Sequence, residues 1–218
     1  MSVRVPDWLA PLAAAAAAAR SEELSRFLPP ADGRARPSAV LIALSQTRAG
    51  PGVLLIERAA TLRTHAGQAA FPGGAADPDD TDPAATALRE AAEEVGIRRS
   101  TVEVLATLPA LFLPPSGFMV TPVIGWWAQP HPVAVVDALE VASVTVVPVA
   151  ELANPANRFQ VAHPSGFQGP GFAAGGMFVW GFTAGLLDAV LRLAGWARPW
   201  DRQQFRPLPT AALGNVSP

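Results

Sequence analysis

Apolar residues fall in two rhythms along this chain. Short unbroken runs at 38–46 (SAVLIALSQ) and 53–58 (VLLIER) predict strands, with Ala49-Gly50-Pro51-Gly52 as the turn between them. Residues 101–113, 118–128, 142–149, 158–162 and 177–182 predict further strands, and 114–117 and 130–132 predict turns. Helices are predicted at 6–27, from Pro83 to the stop at Gly96, at 150–152, and at 183–193. A Pro-rich connector covers 28–37, and 59–70 reads as loop or short strand. A loop of Gly, Pro and Asp covers 71–81, and a tail starts at Arg198. No internal repeat is visible. Strands interleaved with a few helices predict a mixed sheet covered by helices, an α/β (α+β) architecture. The core would run over about 38–194 of a single domain, preceded by the first helix and followed by the tail.

Composition narrows the chemistry. The 218 residues are half hydrophobic, with a net charge of -2 and no Cys. No basic field is available to hold nucleic acid, so an anionic ligand must be met by local arginines. Thiol catalysis, disulfides and Cys-ligated zinc are excluded, and a reducing cytoplasm suits the composition. No apolar run reaches the roughly 18–20 residues of a membrane span. The seven alanines from Ala13 to Ala19 follow Asp7 and read as a packing helix, not a leader. Oligomeric state is left open, with a homodimer compatible.

The helix starting at Pro83 is the most informative element. Asp82 is its N-cap, Pro83 its first residue and Gly96 its stop. Leu88, Ala91, Ala92 and Val95 share one side. Glu90, Glu93 and Glu94, spaced i, i+3, i+4, share the other and are expected to point outward. Alone, such a stripe is an ordinary solvated face. Its three carboxylates also suit a hard divalent cation, whose charge offsets their repulsion.

Residues 89–97 (REAAEEVGI) resemble the second half of the Nudix box, REUxEExGU, at every specified position. The first acid departs from the usual Glu: it is Asp80, separated from Gly74 by five residues, and the Arg-Glu pair lies one residue farther than usual. Upstream, Leu54, Leu55, Arg58, Ala59, Arg63, Gly67 and Phe71-Pro72-Gly73-Gly74 resemble the signature of the coenzyme A (CoA) branch, with only Ile56 replacing a Thr. Residues 178–184 (FVWGFTA) resemble a WGxTA segment of the same branch.

The resemblance implies a Nudix-type α/β/α sandwich and an Mg2+- or Mn2+-dependent hydrolase. The substrate would be the pyrophosphate of CoA or a derivative, and the products 4'-phosphopantetheine and adenosine 3',5'-bisphosphate. Glu90, Glu93 and Glu94 would be the metal ligands, with the carbonyl of Gly74 or a neighbour. Gly73 and Gly74 would let the backbone approach metal and substrate. Arg58 and Arg63 would grip phosphates. The general base stays open among Glu93, Glu94 and Glu140. Arg89 would tie the helix to Asp80 or Glu93. The alternatives are another nucleoside diphosphate substrate, such as NADH or ADP-ribose, and a non-catalytic binding module. His65 reads as a loop hydrogen-bonder, His131 and His163 as incidental, Asp77, Asp79, Asp80 and Asp82 as turn and cap residues, and Trp126-Trp127 as core.

Overall fold

The computed structural model describes residues 5–24, 27, 34–62, 65–114 and 116–209. Two long strands, β1 (Arg36–Thr47) and β2 (Gly50–Arg58), form the centre of an eight-stranded mixed sheet. Period-two alternation sets its two faces. Ala39, Leu41 and Ala43 of β1 and Leu54 and Ile56 of β2 pack on one side. Ile42 and Leu44 of β1 and Val53 and Leu55 of β2 pack on the other. The first side is covered by α3 (Pro83–Val95) through Ala87, Leu88, Ala91 and Val95. The second is covered by α1 (Ala10–Ala18) and α5 (Gly181–Leu193), through Leu12, Ala16, Leu186, Leu187 and Val190. The result is the expected α/β/α sandwich.

The centre of the sheet splays, and this builds the site. β1 and β2 pair directly only from Leu44↔Val53 to Thr47↔Gly50. Beyond that point two short strands enter between them. β3 (Ala69–Ala70) pairs with Ile56 and Glu57 of β2, and β4 (Gly73–Ala75) pairs with Ser38 to Val40 of β1. Between them, Leu41 donates its N–H to the carbonyl of Pro72 at 2.8 Å. The far edge of β1 runs parallel to β7 (Phe118–Trp127), and the far edge of β2 antiparallel to β8 (Val141–Pro148), which leads into the expected short helix, α4 (Val149–Leu152).

β7 carries Pro122 inside the sheet, where a missing N–H is normally excluded. Its carbonyl accepts from Leu108, so the absent donor faces 108–110. There the expected single strand 101–113 breaks into β5 (Val102–Thr107) and β6 (Leu111–Leu113).

Four other expectations change. The helix at 6–27 breaks where Ala19 turns extended, leaving α1, preceded by a 3-10 turn, and the single turn α2 (Ser21–Leu24). The expected strand at 177–182 stops early, as β11 (Met177–Val179), because α5 starts at Gly181. β9 (Arg158–Ala162) and β11 flank a strand the sequence did not predict, β10 (Gln168–Ala174), which contains Gly169-Pro170-Gly171. A Cβ on Gly171 would lie 2.4 Å from the Phe159 ring, so the glycine there serves packing. The tail beyond Arg198 also docks. Gln160 of β9 donates to Gln204 and accepts from Arg206, while buried Arg158 lies between the rings of Phe172 and Trp200 and pairs with Asp188. Residues 210–218 lie outside the described residues. Among the described residues, no helix is long and apolar enough to cross a membrane.

Candidate active site

α3 is held at both ends as the sequence predicts. Asp82 Oδ1 accepts from the Ala85 N–H at 2.8 Å. Gly96 takes the left-handed conformation (φ 74), and Gly96 and Ile97 close the helix onto the carbonyls of Ala92 and Ala91. This fixed helix meets the 69–75 wedge.

The three glutamates do not share one environment. Glu94, expected to point outward, is only 2% exposed, because the wedge lies over that edge of the helix. Its Oε2 accepts from the Gly73 N–H at 2.9 Å, and its buried Oε1 has no partner. Burial pushes its pKa up to about 8, against the pull of the Gly73 N–H and Arg58. Glu90 is half-buried against Gly74, and burial raises its pKa as well, against the pull of Arg89. Glu93 faces outward with its side chain 57% exposed and pairs with Arg89 at 3.0 Å.

Arg89 is the structural tie. It forks onto Asp80 at 3.2 and 3.0 Å and donates to the Ala75 carbonyl at 3.0 Å. It also contacts Glu90 at 2.9 Å. The fork holds the Asp80 carboxyl far below the usual carboxylate range. Asp80, the residue at the variant position of the box, is therefore a loop anchor. Asp77 takes its expected turn role, accepting from the Asp79 N–H.

The glycines are required by close approach. A Cβ on Gly73, at φ 154, would lie 2.3 Å from the carbonyl oxygen of Ala39. One on Gly74 would lie 2.5 Å from Glu90 Oε2. Beside them opens a cavity of about 340 Å³, with Arg58, His65, Gln68, Gly73, Gly74 and Glu140 among its lining residues. Phe71, Phe118, Trp180 and Phe182 add an aromatic wall. Glu140 is exposed at this lining, fixed by its carbonyl accepting the Ala59 N–H, and its charge bears on both Glu90 and Glu94. Arg58 Nε is buried without a partner. Arg63 lies outside the described residues. Phe118 and Gln68 had no signal in the sequence, since only the splayed sheet brings them to the cavity. Trp126 and Trp127 lie in opposite core layers, as expected, away from it.

The donor set fits a hard divalent ion. Glu94 has a free buried oxygen and a strained charge, and Glu90 and Glu140 add negative potential. Among the described residues no three acidic or imidazole side chains already converge, since Arg89 holds Glu93 outward and contacts Glu90.

The raised pKa of Glu94 has a consequence for stability. The folded state holds this proton to about pH 8, the unfolded chain only to 4.5. In that window the unfolded chain binds fewer protons, so stability present below 4.5 is lost as pH rises toward 8. In chelator, the melting temperature of the wild type should fall relative to that of Glu94→Gln across this window. Parallel curves would refute the assignment.

The comparisons with known proteins show the family. A NUDIX domain model matches residues 35–165. The chain is 43% identical over 159 residues to the Nudix hydrolase NudL of Citrobacter koseri, covering 70% of this chain and 79% of that one. It is 40% identical over 171 residues to NudL of Klebsiella pneumoniae, covering 75% and 85%. Both relatives are described as uncharacterized. A Nudix hydrolase structure from M. Smegmatis, RenU, superposes with a TM-score of 0.55 at 22% identity, covering 84% of this chain and 96% of that one. The protein belongs to the Nudix hydrolase family, whose members act on small molecules with divalent cations.

Proposed function

We propose that this hydrolase cleaves the pyrophosphate bond of coenzyme A or a derivative, using Mg2+ or Mn2+. One observation carries the reading. The segments resembling the CoA-branch signature, the end of β2 and the 71–74 loop, wall the same cavity as the residues resembling WGxTA. That cavity is lined by Arg58, Gly73 and Gly74 together with the aromatic side chains of Phe71, Phe118, Trp180 and Phe182. A CoA molecule has matching parts: a diphosphate, and a long, weakly polar pantetheine arm.

Glu90 and Glu94, with Glu93 once it leaves Arg89 and with the Gly74 carbonyl, would hold the ion. Bound there, it would lower the pKa of a water and neutralise charge on the phosphoryl oxygens. Arg58, and Arg63 by the same signature, orient the diphosphate through N–H donors. The water oxygen bonds to phosphorus in line with the bridging oxygen, and that bridging P–O bond breaks. Glu140 is the carboxylate we assign to accept the water's proton, with Glu93 and Glu94 engaged at the ion. The glycines and the Arg89–Asp80 tie hold the loop against the helix throughout.

A substrate panel tests the reading. With either metal, kcat/KM for CoA should exceed that for NADH and ADP-ribose at least tenfold. The opposite order would keep the hydrolase and remove CoA as its substrate.

A further inference from the structure

We propose that His65 is a substrate-positioning residue whose Nε2 donates a hydrogen bond to the diphosphate beside Arg58. This rests on the site being a diphosphate hydrolase, but not on CoA being its substrate. Three observations meet at this side chain.

His65 is the one non-glycine residue with positive φ (57) among the described residues. An imidazole in the left-handed region is sparsely populated and persists when the surroundings over-determine it. The surroundings do so here. The Gln68 N–H bonds the His65 carbonyl, the Gly67 N–H bonds the Arg58 carbonyl, and the Arg58 N–H bonds the Gln68 carbonyl. The turn carrying His65 is thus tied to the backbone of Arg58 through both Gly67 and Gln68.

The ring is also held. Nδ1 lies 3.1 Å from Gln68 Oε1, an acceptor, so in the free protein Nδ1 carries the ring hydrogen and has a partner. The other, Nε2, is buried and has none, and the same holds for Arg58 Nε. Both residues line the cavity that Gly73 and Gly74 also line. Two buried, unpaired nitrogens on residues that line one cavity and share a backbone-tied turn are best satisfied together by a group rich in acceptor oxygens. A diphosphate is such a group. The Gln68 amide has the same shape either way round: a half-turn brings its NH2 to Nδ1 and moves the ring hydrogen to Nε2, the form that diphosphate oxygens select.

A structural role for the turn is separable from a ligand role, because glycine accepts φ 57 without strain. His65→Gly should fold with an unchanged or higher melting temperature. It should raise KM about tenfold with kcat nearly unchanged, the pattern of lost uniform binding.

A direct readout uses inorganic pyrophosphate as the probe. The chain has three histidines, so its ring nitrogen spectrum is small, and His65→Asn assigns the signals of interest. Titrating pyrophosphate, with and without Mg2+, should move the His65 ring nitrogens toward the Nε2–H form. Mg2+ alone should leave them in place. By calorimetry, His65→Gly should bind pyrophosphate about tenfold more weakly. Unmoved His65 signals in both titrations, or equal affinity in His65→Gly, would overturn the assignment. A protein that ignores CoA but still shows the shift would lose its substrate assignment and keep this one.

Discussion

Glu94→Gln is expected to abolish turnover while leaving the protein folded. The substitution keeps the shape, and the new amide oxygen still accepts the Gly73 N–H now bonded to Oε2 at 2.9 Å. It removes a carboxylate whose ionised form burial already opposes, with a pKa pushed up to about 8. The metal-free variant should therefore melt at or above the wild-type temperature at neutral pH. Catalysis should move the other way. A divalent ion supplies several kcal/mol of charge stabilisation at a phosphoryl centre, and losing a buried anionic ligand should lower kcat by roughly 10³-fold. Paired kcat and thermal-melting measurements check both halves. A variant that keeps kcat within tenfold would show that Glu94 is only a buried clamp on Gly73.

The two adjacent glycines should fail in opposite ways. Gly73→Ala puts a methyl 2.3 Å from the Ala39 carbonyl oxygen and 2.6 Å from Val40 Cα, both backbone, at an unfavourable φ of 154. The wedge between β1 and β2 cannot yield without opening the sheet. We expect a loss of roughly 3–5 kcal/mol, read by denaturant unfolding. Gly74→Ala instead meets the end of the Glu90 side chain, at 2.5–2.8 Å. A flexible carboxylate can swing away, so stability should change by less than about 1.5 kcal/mol. The swing misplaces Glu90, however, and kcat should fall about 100-fold. Equal stability losses in the two variants would contradict this view of the cradle.

The sequence was most legible where local chemistry decides the structure. Asp82, Pro83 and Gly96 bound α3 correctly because capping is set within a few residues. The apolar runs of β1 and β2 show as strands for the same reason. The pairing of Arg89 with Asp80 and Glu93 was also readable, from helical spacing and a nearby loop acid.

What stayed hidden depends on tertiary placement. Spacing puts Glu90, Glu93 and Glu94 on one stripe, but only the wedge at 69–75 decides that Glu94 is buried, Glu90 half-buried and Glu93 exposed. The break between β5 and β6 answers to Pro122 in a neighbouring strand, not to residues 108–110 alone. β10 was disguised by glycines that serve its packing against Phe159. His65 looked like any loop histidine, since its positive φ and unpaired Nε2 exist only once the turn is tied to Arg58.

Product analysis of CoA incubated with the metal-stripped protein, before and after addition of Mg2+ or Mn2+, tests the central claim most directly. The account predicts intact CoA in chelator, then adenosine 3',5'-bisphosphate and 4'-phosphopantetheine in equal amounts once metal is added. CoA that stays intact with either metal, while the same sample hydrolyses NADH or ADP-ribose, would contradict it.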